Sequence, residues 1–400
     1  MTLSLATAQE RYATDADVFA HDTLVDPYDT YRSLRDIGRV SYMTRYDTWA
    51  LTRYDEVRHA LGDWQTFSSA QGIGMNTAFN EAWKDFAPCK DGADHLPMRK
   101  LMMQDLGPKA AAAYKEKIQQ AAVTLVEELL DRREFDAVLD FAQMMPMRVF
   151  MEVLGVEPDI EQRRTMLHWG TDTYNCAAPD GLYDDTLPSM DKLYSWALEN
   201  ITPETAREGS VAASTWESVE RGDVTDVQAV ATLAAYVTAG LDTTAGTLGN
   251  TIAQFAANPD QWAIVRDDPK TIPGAILEGI RFDSVAQWFT RVTTRDVEYD
   301  DIVIPAGSRT YHSYAAANRD ERHYRDPDSF DVLRNPTDHV GFGYGPHMCV
   351  GKSVSNTEMI ALWTELGRRV DRIEQIGPKK QHINNLIRSL DSLPVRIYPK

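Results

Sequence analysis

The stretch Phe342-Gly343-Tyr344-Gly345-Pro346-His347-Met348-Cys349-Val350-Gly351 decides how the rest of the chain is read. Its glycines and proline make a tight loop whose backbone can approach a flat ligand closely. Cys349 then opens a predicted helix running to about Val370. A helix start carries partial positive charge and unpaired N–H groups, which stabilise a thiolate and tune it as a metal ligand. Cys89 and Cys176 have no such setting and read as small buried hydrophobes.

Upstream, one Ala-rich pattern runs from about Asp226 to Ala257 and stops at Asn258-Pro259, because the residue before a proline is pushed off helical angles. A helix of about 30 residues spans about 45 Å, and this one is apolar on most faces, so it is predicted to cross the interior. In its middle lies Ala239-Gly240-Leu241-Asp242-Thr243-Thr244. A carboxylate inside a buried helix is expensive unless it is paired or functional. Gly240 removes bulk where a ligand could approach, and Thr243 follows three residues on.

Around these segments, Val40–Arg53 suggests a hairpin, helical patterns dominate Ala110 to Leu154, and Ala177–Glu204 reads as irregular, mobile cover over a pocket. Thr271–Phe282 is predicted helical. Arg291–Val297, Ile302–Arg309 and Pro394–Tyr398 are predicted strands, with a turn at Pro305-Ala306-Gly307. No repeat, low-complexity tract or flexible linker divides the chain, so residues 1–400 are expected to form one large, mainly α domain with small β-sheets. The net charge of −19 disfavours broad binding to nucleic acid or an anionic membrane. No stretch reaches the roughly 18 to 20 apolar residues that span a bilayer. Three scattered cysteines and an N-terminus without an apolar run point to the cytoplasm.

The cysteine loop, residues 341–351, resembles the haem-binding loop of the cytochrome P-450 superfamily: Phe, Gly, any, Gly, any, basic, any, Cys, any, Gly. Every specified position matches, His347 being the basic residue, while Ser355 stands beyond it where Ala is more usual. The resemblance covers nearly the whole chain. It implies the P-450 fold, a non-covalent haem b held through Cys349 and the loop residues Phe342, Gly343 and Gly351, and O2 as co-substrate. It also places Ala239 and Gly240 on the distal side of the haem, with Asp242 and Thr243 relaying protons to dioxygen. His95 and Arg99, four apart on a predicted helix, match propionate contacts together with Arg291 and His347; His339 is a further possibility. Glu278 and Arg281 match a buried Glu-x-x-Arg pair that serves folding. The third partner of that pair is left open, because Ser329 replaces the usual Arg in Pro327-Asp328-Ser329-Phe330.

The chain has no dinucleotide, flavin or iron–sulfur motif, so electrons are expected from outside. The resemblance implies a ferredoxin or similar carrier with an NAD(P)H-dependent reductase, and Arg99, Lys100, Lys109 and Lys352 offer a basic patch for it. Residues 290–298, Asn384-Asn385-Leu386 and residues 390–395 are similar to the branch that oxidises para-substituted benzoates, often by O-demethylation. Lys84, Ala177, Ala235, Ala239, Phe289 and Thr290 are the expected substrate contacts, for a benzoate or a methoxyphenol. A peroxide-driven peroxygenase and a non-catalytic haem sensor are the alternatives, neither of which needs the Asp242–Thr243 pair.

Overall fold

The computed structural model describes residues 3–400. The predicted long helix is two helices, Asp226–Gly240 and Asp242–Ala257, interrupted at Leu241 (φ −99°, ψ −60°). Its start is set by a capping box: Thr225 Oγ1 accepts from Gln228 N at 3.2 Å, and Gln228 Oε1 accepts from Thr225 N at 2.9 Å. Asn258 (φ −125°) ends it before Pro259, as expected. A Cβ on Gly240 would stand 2.5 Å from the Phe150 ring, so the glycine just before the interruption lets Met144–Leu154 pack close against the helix. The second helix begins at Asp242, with the carboxylate at its positive end.

Helices Pro108–Arg132 and Lys352–Arg369 pack along each other, and Ile160–Asn175 and Leu187–Asn200 cover Asp226–Gly240. Leu187–Asn200 lies where irregular cover was expected. Pro188 starts it, and Leu193 and Ala197 bury its inner face, so irregular chain is left before it and again after Asn200. The expected helical run Ala110–Leu154 is broken by strand Glu134–Asp136 and a π-turn, Ala137–Ala142, which Asp136 caps.

A six-stranded sheet has the order Ala13–Thr14, Ser41–Met43, Thr48–Leu51, Arg309–Ser313, Trp288–Thr293, Phe67–Ser68. The hairpin at 40–53 is present, with Tyr42 opposite Trp49. The other strands shift from their expected bounds to Trp288–Thr293, Val297–Tyr299, Ile302–Ile304 and Arg309–Ser313. The turn at Pro305–Gly307, with Gly307 at φ +81° and Asp296 accepting from Ala306 N, separates the last two. Pro394–Pro399 pairs with Val370–Gln375 and Glu134–Asp136. Among the described residues no helix is long and apolar enough to cross a membrane.

Candidate active site

The cysteine loop closes on itself where Cys349 N donates to Phe342 O at 2.8 Å. Gly343 and Gly345 sit at φ +70° and +72°, and a Cβ on Gly345 would meet Leu61 O at 2.6 Å. Both positions need glycine. Helix Lys352–Arg369 starts three residues after Cys349 rather than at it, with Gly351 as N-cap. The cysteine still uses that end. Burial pushes its thiol up, while N–H groups of Gly351 and Lys352 and the charges of Arg99 and Lys352 favour the thiolate. Solvent nonetheless reaches the side chain, so Cys349 lines an internal space.

The broken helix forms another wall. Ala239 is exposed although Thr238, Tyr236 and Val237 beside it are buried. One turn on, Thr243 is half-buried and its Oγ1 donates to Ala239 O at 2.9 Å. Asp242 is 6% exposed, and neither carboxylate oxygen has a hydrogen-bond partner among the described residues. Burial raises this carboxyl to about 7, against the pull of nearby backbone N–H groups and of His382. Gly240 faces Phe150 and not a ligand, so its missing bulk serves packing. The charges of Asp242 and Cys349 both act at the buried Tyr174 phenol, which is absent from the sequence reading.

At the rim of the cysteine space, the His95 and His347 rings lie 4.5 Å apart, and His347 Nε2 is 3.0 Å from Asp91 Oδ1. Arg99 Nη1 donates to Met348 O at 2.7 Å, and Arg291 Nη1 to Thr290 O at 2.7 Å. Neither guanidinium forms an ion pair among the described residues, although Arg291 is 6% exposed. Burial lowers His95 to about 4, with further lowering by the charges of His347 and Arg99. Burial also lowers His347, against its bond to Asp91, and Arg291 and Arg99 act with the burial. A buried guanidinium without a counter-ion calls for an anion from outside the chain. The four expected residues therefore converge on one anion-seeking surface beside the cysteine. That donor set fits a flat ligand carrying carboxylates and a thiophilic metal. His339 is spoken for: its Nδ1 accepts from Gly341 N at 3.0 Å, and burial lowers it to about 3.

Glu278 and Arg281 are fully buried and paired at 2.7 Å. Arg281 also donates to Asn318 O and Pro327 O, at 2.8 and 3.0 Å. Ser329 contributes only its carbonyl oxygen, and the third side chain is Arg334, whose Nε lies 3.3 Å from Glu278 Oε1.

The expected substrate contacts do not gather. Lys84 is an exposed surface residue paired with Glu81. The Thr290 hydroxyl donates to Gly74 O at 2.8 Å and accepts from Arg309 Nη1 at 2.9 Å, which leaves it unavailable. Ala177 is buried with its carbonyl taken by Met75 N at 2.8 Å, and Phe289 packs on Tyr314 at 5.7 Å. Ala235 is buried beside a recess of 220 Å³ lined by Trp83, Phe86, Thr173, Leu193, Ala234 and Thr238. Phe79, Trp83 and Phe86 stack at successive centroid distances of 4.8 Å.

The sequence model of the family described as cytochrome P450 matches residues 210–369. The chain is 32% identical to cytochrome p450 CYP199A2 of Rhodopseudomonas palustris over 96% of its own length and 94% of that protein's. It is also 32% identical to the beta-dihydromenaquinone-9 omega-hydroxylase of Mycobacterium tuberculosis, covering 97% of itself and 79% of that protein. Among solved structures it resembles cytochrome P450 CYP109Q5 from Chondromyces apiculatus, with TM-score 0.81 and 26% identity, covering 97% and 99% of the two chains.

Proposed function

Because the chain belongs to the cytochrome P450 family, as a monooxygenase with haem b as cofactor and O2 as co-substrate, we propose that Cys349 would hold the haem iron through its sulfur and that a small aromatic ether is the substrate. When bound, the haem would supply dioxygen binding and cleavage, which a thiolate ligand favours. The chain's own residues do the rest. Gly351 and Lys352 N–H groups hold the Cys349 sulfur as thiolate. His95, Arg99, Arg291 and His347 bind the propionates, giving Arg291 the anion it lacks. Asp242 and Thr243 move protons: a buried carboxyl near 7 both gives and regains a proton at neutral pH. Glu278, Arg281 and Arg334 hold the fold behind the loop.

The observation that carries this reading is Asp242: a buried carboxyl with two unpartnered oxygens at the start of the second half of the broken helix, whose charge and that of Cys349 both act on Tyr174. Proton delivery to dioxygen uses such a group, whereas peroxide-driven turnover or haem sensing leaves its cost unexplained.

Trp83 and Phe86, stacked at 4.8 Å in the wall of the recess, favour a planar substrate. With Lys84 tied to Glu81 and Thr290 to Arg309, no free group is left among the expected contacts to anchor a carboxylate. A neutral methoxyphenol therefore suits the pocket better than a benzoate. Oxidation of its methyl consumes O2, two electrons and two protons, and yields water and a hemiacetal that releases formaldehyde and the phenol. Bacterial P450s generally draw these electrons from redox partners such as a ferredoxin and its reductase. Exposed Lys100 and Lys109, with Arg99 and Lys352 nearer the cysteine, suit an acidic carrier. Three unpaired cysteines suit a cytoplasmic setting.

The test is a panel of methoxyphenols and methoxybenzoates, scored by haem spin shift and by formaldehyde released per NAD(P)H with a surrogate ferredoxin system. Methoxyphenols should shift the spin state and release formaldehyde. Turnover confined to benzoates would reject the neutral-substrate reading, and none with any aromatic ether would reject the aromatic one.

A further inference from the structure

The 220 Å³ recess beside Ala235 has room for one aromatic ring, since a cavity of about 150 Å³ holds benzene. Trp83 and Phe86 stack along one side, and Leu193 and Tyr194 of helix Leu187–Asn200 line the other. The buried Thr238 of helix Asp226–Gly240 marks its inner end, and the exposed Asp191 marks its mouth. Few polar side chains there are free to meet a ligand. The Thr173 and Thr238 hydroxyls donate to carbonyls of their own helices, Trp169 O at 2.7 Å and Ala234 O at 2.8 Å. That leaves the Tyr194 hydroxyl and the Asp191 carboxylate, which share one face of their helix at i,i+3 spacing.

Among the described residues Asp191 is the one charged side chain lining the recess, and it has neither an ion pair nor a hydrogen bond. Nearby cations do not answer it. Lys84 pairs with Glu81, and Lys90 pairs with Asp85 at 3.0 Å. Lys192 follows Asp191 directly, so it points about 100° round the helix.

The geometry points to Asp191 as the group that selects the substrate, by accepting a hydrogen bond from a phenolic hydroxyl at the mouth of the recess. A phenol keeps its proton at neutral pH, so it donates to a carboxylate, which only accepts. A benzoate carboxylate in the same place has no proton to give and meets like charge with no free cation to offset it. The ring then lies along Phe86, with the hydroxyl outward and the methoxy group toward Thr238. Ala239, the next residue of that helix, is exposed. A hydroxyl para to the ether spans the recess from mouth to inner end, so para substitution is favoured. This rests on the reading that a methoxyphenol is the substrate and that its ring occupies the recess.

The experiment titrates haem-loaded wild type, Asp191→Ala, Asp191→Lys and Tyr194→Phe with three ethers, following the spin shift and the formaldehyde released. The ethers are 4-methoxyphenol, 1,4-dimethoxybenzene, which has no hydroxyl, and 4-methoxybenzoate. Wild type should bind the phenol best and the benzoate worst. Asp191→Ala should weaken the phenol about tenfold, the effect of losing one hydrogen bond to a charged group, and leave the dimethoxy compound unchanged. Asp191→Lys should reverse the order of phenol and benzoate. A wild type that prefers the phenol, with that preference kept in both Asp191 variants, would reject Asp191 and leave the methoxyphenol reading standing. Equal weakening of the phenol and the dimethoxy compound in Asp191→Ala would show lost packing and also reject it. Loss of the preference in Tyr194→Phe alone would move the role to Tyr194. A wild type that binds the benzoate best, or none of the three, would remove the methoxyphenol reading itself.

Discussion

Thr244 Oγ1 donates to Ser355 Oγ at 3.0 Å, which ties the second half of the broken helix to the helix that follows the cysteine. Thr244 is buried and Ser355 partly buried, and among the described residues each hydroxyl has the other as its hydrogen-bond partner. Ser355→Ala should destabilise the protein by about 1 kcal/mol, the usual worth of such a bond, read as a lower denaturant midpoint. An unchanged midpoint would show that Thr244 finds another acceptor.

The Glu278–Arg281 pair has no exposure to solvent. Removing one partner leaves a charge buried alone, so Glu278→Ala should cost about 3–5 kcal/mol. Arg334, which reaches the same carboxylate at 3.3 Å from a partly exposed position, should cost less when changed to Ala. Equal losses for the two variants in urea unfolding would contradict the assignment of Arg334 as the outer member.

Gly240 offers a test of packing against ligand access. Gly240→Ala should cost about 1–3 kcal/mol through overpacking on Phe150, and Phe150→Leu in the same chain should recover part of the loss. If Phe150→Leu recovers nothing, the clash lies elsewhere.

Asp242 makes stability depend on pH in a defined direction. Its carboxyl is raised from 3.8 to about 7 by burial, so between those values the folded protein holds a proton that the unfolded chain has released. Stability falls as pH rises through that window and then levels off. Asp242→Asn should therefore be about as stable as wild type near pH 4 and more stable at pH 8, by on the order of 1–4 kcal/mol. Parallel stability–pH curves for the two proteins would contradict the buried placement.

Much of this site was legible in order along the chain. The tight cysteine loop, the start of the long helix at about Asp226 and its stop before Pro259 depend on local rules and stand where those rules put them, though the helix after the loop begins at Lys352 and not at Cys349. What was not legible depends on distant partners. The break at Leu241 and the close approach of Phe150 to Gly240, ninety residues apart in the chain, are invisible to periodicity. Arg334 meets Glu278 across 56 residues. Tyr174 is an ordinary helix residue until the fold puts it where the charges of Asp242 and Cys349 both act. Lys84 was misplaced because Glu81, three residues earlier on the same face, offers a simple surface pair.

The central claim is that the Cys349 sulfur, presented by its loop to an internal space and supported by the Gly351 and Lys352 N–H groups, binds haem iron as a thiolate. The most direct measurement is the absorption spectrum of the dithionite-reduced, carbon-monoxide-treated protein, recorded beside Cys349→Ala at equal haem content. A red-shifted, thiolate-type Soret band in the wild type and its loss in the variant is the predicted result. A wild type without that band, or a variant that keeps it, would contradict the account.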